Sequence, residues 1–219
     1  MNALAEELVD RFEVQAVHEA PAASYNIAPT QSVAVITQAR DKRILSAMRW
    51  GLVPSWAKDP SIGSRMINAR IETIAEKPAY RSAFAQRRCL VPANGWYEWQ
   101  GNGKTKQPVY FHRQDAALFA FAGLYETWQS PEGETLTTFT VITTTAFPEF
   151  ARFHERTPAA LRPEDEAAWL TPGRLSAADA FSLLTPLGDD VLEVYPVSMR
   201  VNSPKNDDSS LVEPLPPTT

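Results

Sequence analysis

"AALFAFAGLYETW" (116–128), followed across "QSPEGE" by "LTTFTVITTTA" (136–146), decides how the chain folds. Both runs are dense in aromatic and β-branched residues, which suit a pleated surface, and the Pro and Gly between them mark a turn. They predict a long antiparallel hairpin. Working outward, "SVAVIT" (32–37) and "ILSAMRWGLVPSW" (44–56) pair as a second hairpin across "QARDKR". "RMINARIET" (65–73), "RRCLVPANGWYEW" (87–99), "PVYFH" (108–112) and "VLEVYPVS" (191–198) read as further strands. The glycines of "QGNGKTKQ" (100–107) mark a hairpin turn. The "GKT" there is no phosphate-binding loop, which would need Gly where Glu98 stands and a helix after it.

Helical spacing occurs over 3–12, where Leu4, Leu8 and Phe12 fall four apart, and over 76–86, 147–153, 162–170 and 176–184. Strands joined by hairpins, with a few helices, predict an α+β fold: an antiparallel β-barrel-like sheet, closed or nearly so, with flanking helices. No repeat or linker divides it. One domain over 1–205 and an irregular tail over 206–219 are expected.

A chain of 219 residues that is 44% hydrophobic can bury one sizeable core. Acids interrupt the apolar residues near the start, and no run reaches membrane-spanning length, so a cytosolic protein without a membrane partner is expected. The lone Cys89 cannot form an internal disulfide and reads as an inert strand cysteine. The three histidines have no zinc-ligand spacing, so neither metal nor cofactor is expected. His18 and His112 read as surface residues.

The net charge of −5 argues against a general nucleic-acid binder, yet residues 40–90 hold eleven basic and four acidic side chains. If Arg40, Lys42, Arg43, Arg49, Arg65, Arg70, Arg81, Arg87 and Arg88 partly converge, that face could hold a phosphate backbone; otherwise they are ordinary surface charges. In "ANGWYEW" (93–99), alternation puts Glu98 on the same face as Trp96 and opposite Tyr97 and Trp99. Partial burial there would raise its pKa toward neutrality, as a general acid or base needs. The alternative is a solvated glutamate pairing with an arginine at a sheet rim. His154, in "FHERTP", falls at an element end, where sites are built.

The ordered set "YNIAPTQ" (25–31), "RWGLVPSWAKD" (49–59), "INARIET" (67–73), "RRCLVPANGWYEW", "FAGLYETW" (121–128), "TVITTTA" (140–146), "HERTPAAL" (154–161) and "VNSPKND" (201–207) resembles the SRAP family of abasic-site processing proteins, first called SOS response-associated peptidases. The likeness covers nearly the whole chain. It implies covalent capture of abasic sites in single-stranded DNA by an N-terminal cysteine: the α-amine condenses with the sugar aldehyde and the thiol closes a thiazolidine ring. It implies that Glu98 moves protons, that His154 positions or protonates the sugar oxygen, and that Asn68 and Arg70 hold the nucleophile and the neighbouring phosphate. Thr143 would line the same pocket, Asn26, Pro29 and Trp56 would shape the DNA groove, and Arg156 would offer a further phosphate contact.

Two departures matter. The family opens Met-Cys-Gly-Arg, whereas "LAEELVDRF" here resembles the helix that follows that segment. A start upstream of Met1 is the favoured expectation, and a variant without its nucleophile the other. Thr157 stands where the family often has Met. A monomer acting on abasic single-stranded DNA is the leading reading; a noncovalent single-stranded nucleic-acid binding module is the alternative, and a peptidase confined to removing its own initiator Met a third.

Overall fold

The computed structural model describes residues 1–101, 106–171, 173, 175–184, 186–188 and 190–216. In chain order the strands are β1 (Ala16–Val17), β2 (Ser32–Ala39), β3 (Lys42–Trp50), β4 (Asn68–Arg70), β5 (Arg88–Ala93), β6 (Gly95–Gln100), β7 (Gln107–Arg113), β8 (Phe119–Gln129), β9 (Thr135–Thr145), β10 (Arg156–Pro158), β11 (Ala160–Leu161) and β12 (Leu192–Pro196). The α-helices are α1 (Ala5–Arg11), α2 (Arg81–Gln86), α3 (Glu166–Leu170) and α4 (Ala177–Leu183).

Five strands close a barrel in the order β3-β2-β5-β8-β9, and β9 returns to β3. The neighbours are antiparallel, as expected, except that the closing β3–β9 pair is parallel, with Arg49 opposite Thr138 and Trp50 opposite Phe139. The predicted hairpins β2–β3 and β8–β9 both form. Val33, Val35, Met48, Cys89, Val91, Phe119, Phe121, Phe139 and Val141 make a cluster drawn from all five barrel strands, and this fills the lumen. Gly123 belongs to the same packing: a Cβ there would lie 2.8 Å from Cys89 Sγ and 2.9 Å from Val91 Cγ2. The opposite faces, among them Ala34, Ile36, Leu45, Leu90, Ala122 and Ile142, pack beneath the helices with Leu8, Phe12, Phe84 and Trp169.

The run 87–99 is two strands rather than one. β5 is buried on both faces, and after Asn94 the chain leaves the barrel for a separate three-stranded sheet, β12-β7-β6. Gly95 permits the passage, because a Cβ there would come within 2.2 Å of Phe111 O and 2.6 Å of the Tyr110 ring. β6 and β7 pair as a hairpin, although the residues of the predicted glycine turn at 102–105 lie outside the described set.

Other expectations need correction. Residues 147–153 form successive turns instead of a helix: so short a segment does not sustain helix nucleation, and Phe150 and Phe153 are instead drawn edge-on against Phe111. Leu4 is exposed at the N-cap of α1, which leaves Leu8 and Phe12 as the buried stripe. Within 65–73 only Asn68–Arg70 is strand, flanked by 3₁₀ structure that ends at Arg65 and resumes over Ile71–Thr73. His112 is half-buried and stacked on Tyr110 at 5.6 Å. The C-terminal segment is not wholly irregular, since Ser209–Val212 makes a 3₁₀ turn that buries Leu211. Among the described residues no helix is long and apolar enough to cross a membrane.

Candidate active site

A cleft of about 500 Å³ opens where the lumen meets β6, walled by Ile27, Trp50, Val91, Phe121, Phe139 and Val141. Trp96 roofs the lumen. Its ring stacks on Phe111 at 4.8 Å and meets Phe119 and Phe121 edge-on at 6.4 and 5.6 Å. Tyr97 turns the other way, toward Tyr110, and its hydroxyl donates to Tyr25 O at 2.7 Å. All four of Trp96, Tyr97, Glu98 and Trp99 border the cleft, and the alternation shows in a small adjoining hollow that Trp96 and Glu98 line and Tyr97 and Trp99 do not.

Glu98 forms neither a hydrogen bond nor an ion pair with the described residues. Burial pushes its carboxyl up to about 7, while positive charge on His154 and Lys106 works against the rise. A carboxyl in that range is partly protonated at neutral pH and can both give and take a proton. The rim-arginine alternative therefore does not describe it.

His154 also lines the cleft. The Arg156 backbone N–H donates to its Nδ1 at 3.0 Å, and Arg156 O lies 2.9 Å from the same nitrogen. These contacts orient the ring and leave Nε2 for a ligand. Asn68 reaches the cleft because β4 runs parallel to β9, with Asn68 opposite Val141 and Arg70 opposite Thr143. Ala69 is buried, so strand alternation turns both Asn68 and Arg70 outward.

The remaining predicted residues divide. Pro29 and Asn26 line the cleft, but Asn26 is buried and its Nδ2 donates to Val201 O, Ser203 O and Asn206 O at 3.0–3.1 Å. It staples the 201–206 loop, whose Asn202 and Pro204 form part of the wall. Thr143 is buried one step beyond Val141 on the same strand face and is not among the lining residues. Arg156 is bound up in a bidentate pair with Glu72 at 2.6 and 3.0 Å and donates to Thr143 O. Trp56 is 62% exposed and stands away from the cleft walls.

The basic segment converges only in part. Arg43 reaches Phe12 O and Glu166, Arg87 pairs with Glu126, and buried Arg88 donates to Trp169 O, Phe84 O and Thr171 O. These three serve the fold. Arg70 is exposed.

Sequence reasoning missed Trp50, whose Nε1 donates to Ile67 O at 2.9 Å and whose ring stacks on Phe139. Its alternation with Met48 on β3 was the available signal. It also missed that Met1 lines the cleft, its amine donating to Ser24 O at 2.9 Å. Burial lowers that amine to about 6, against the opposing pull of Asp207. Cys89 is buried, and its thiol is pushed well up by desolvation, as an inert strand cysteine should be.

The family model for SOS response associated peptidase (SRAP) matches residues 1–204. The abasic site processing protein YoqW of Bacillus subtilis (strain 168) is 45% identical over 191 residues, 87% of this chain and 85% of YoqW. The abasic site processing protein YoaM of the same bacterium is 42% identical over 211 residues, 95% and 93% of the two chains. A crystal structure of a protein from Bacteroides thetaiotaomicron matches with a TM-score of 0.86 at 29% identity, covering 98% of this chain and 97% of that one. A model spanning nearly the whole sequence, relatives of this similarity and a shared barrel establish that the chain belongs to the SRAP family.

Proposed function

We propose that this chain processes abasic sites in DNA, acting as a monomer on single strands, and that the ring-opened sugar is captured covalently through an N-terminal cysteine that the sequence beginning at Met1 lacks. Abasic-site processing is the activity named for its relatives. The observation that carries the reading is the Glu98 carboxyl, without a hydrogen-bond partner among the described residues and held near 7 in an apolar cleft that it shares with His154 and Asn68.

Glu98 protonates the sugar ring oxygen as the anomeric hydroxyl loses its proton, which yields the aldehyde. A neutral α-amine adds to that carbonyl and water leaves, giving an imine. A thiol then adds to the imine carbon, its proton passes to nitrogen, and the thiazolidine closes. His154 Nε2 steadies the sugar oxygen, Asn68 the nucleophile, and Arg70 the adjoining phosphate through its guanidinium fork. An amine of lowered pKa, as at Met1, is largely unprotonated at pH 7 and reaches the imine; without a thiol the link stays hydrolysable. Peptidase activity is confined to release of an initiator Met.

The test is a denaturing gel of the protein carrying a Met-Cys-Gly-Arg start, and of the chain beginning at Met1, with intact and abasic single strands. A slow-migrating band is expected from the first protein on abasic DNA only. No band from it refutes capture. The exposure of Trp56 and Arg70 favours noncovalent strand binding as a second reading, and equal affinity for intact and abasic strands would select it.

A further inference from the structure

A second, much smaller hollow adjoins the cleft and shares Trp96, Glu98 and His154 with it. Its volume is about 10 Å³, which is room for roughly one water. Its polar members are Glu98, His154, Arg156 and Thr157, and Phe111, Phe150 and Phe153 close the rest. Both terminal nitrogens of the Arg156 guanidinium are engaged, by Glu72 and by Thr143 O, yet its Nε is buried with no hydrogen-bond partner among the described residues. A buried N–H without a partner is costly, and a water with several polar neighbours is the usual remedy.

We propose that this hollow binds a single water, held by Arg156 Nε–H and shared between Glu98 and His154, through which Glu98 recovers its proton while DNA fills the cleft. The inference rests on the reading of Glu98 as the proton-moving acid. After Glu98 gives its proton to the sugar oxygen and the opened sugar leaves His154 Nε2, the Glu98 carboxylate takes a proton from the water as the water takes one from Nε2 of the His154 imidazolium, which becomes neutral imidazole. His154 is exposed and regains a proton from solvent. Arg156 is thereby a positioning residue, anchored by Glu72. Thr157 leaves the hollow open, where a Met side chain would fill it.

Thr157→Met tests this, with Thr157→Val as a control that keeps the volume. High-resolution crystal structures should show an ordered water within hydrogen-bond distance of Arg156 Nε and Glu98 in the wild type and in Thr157→Val, and none in Thr157→Met. Loss of a hydrogen bond to the charged carboxylate should raise the Glu98 midpoint in Thr157→Met when followed by carboxyl NMR. With the Met-Cys-Gly-Arg start, Thr157→Met should slow capture at saturating DNA by on the order of tenfold and enlarge the solvent deuterium isotope effect, with half-saturation unchanged. A wild-type structure without that water, or a Thr157→Met protein with wild-type titration, overturns the proposal. Should the protein capture no DNA at all, the crystallographic and NMR results still decide the water site, and the failure then belongs to the functional reading.

Discussion

Replacing Glu98 by Gln should make the protein more stable, and the gain should grow with pH. The folded carboxyl sits near 7 against an ordinary 4.5, chiefly because burial disfavours its charge. A displacement of that size corresponds to about 3 kcal/mol favouring the protonated form in the fold. Because the folded value is raised, this contribution to stability is fully present below pH 4.5 and is lost as pH rises through 7. Across that interval the native state holds more protons than the unfolded chain, so stability falls with pH. Glutamine keeps the shape and removes the titration. Urea unfolding of both proteins at pH 4.5 and pH 8 gives a difference of differences in which distant groups cancel. The Gln protein should gain about 2–3 kcal/mol relative to wild type between the two pH values. A change under about 0.5 kcal/mol would mean that Glu98 titrates like a solvated carboxyl, and the acid-base role would go with it. His154→Ala should raise the Glu98 midpoint further, since the imidazolium favours the carboxylate.

Arg88→Met should cost about 3 kcal/mol or more in denaturant unfolding, because its guanidinium ties carbonyls within α2 and α3, and the Thr171 carbonyl just after α3, to the barrel wall; a loss below about 1 kcal/mol would contradict that role. Gly123→Ala should lower stability by about 1–3 kcal/mol, since the new methyl meets Cys89 Sγ at 2.8 Å, and Cys89→Ala in the same chain should recover part of it. Arg70→Ala should weaken single-strand binding and flatten its logarithmic salt dependence by roughly 0.7, one phosphate's share, as measured by fluorescence anisotropy. Arg156→Ala should leave that slope unaltered, because Glu72 already occupies the guanidinium; an equal flattening would make Arg156 a phosphate ligand.

Local pattern carried much of the fold. The hairpins at 32–50 and 119–145 were legible because turn residues and β-branched runs act over short range. The same alternation put Trp96 and Glu98 on one face, as found. The split of 87–99 into two sheets was not legible: fully buried β5 has no polar face to report its periodicity, and Gly95 is required only by the atoms of β7. The supposed helix at 147–153 was lost to Phe111, which lies 36 residues earlier than the start of that segment.

What the sequence by itself determined was the two long hairpins, the lone inert cysteine, the candidate acid and the family likeness, all properties of residues close along the chain or of their order. Tertiary structure alone decided the parallel β3–β9 closure, the partners that consume Arg43, Arg87, Arg88 and Arg156, and the inward staple of Asn26. The physical reason is that a charge or an amide acquires its role from what desolvates or pairs with it. For Glu98 the proton affinity is set by burial in the cleft and, against it, by the charges of Lys106 and of His154, which lies 56 positions further along and meets Glu98 only through the tertiary fold.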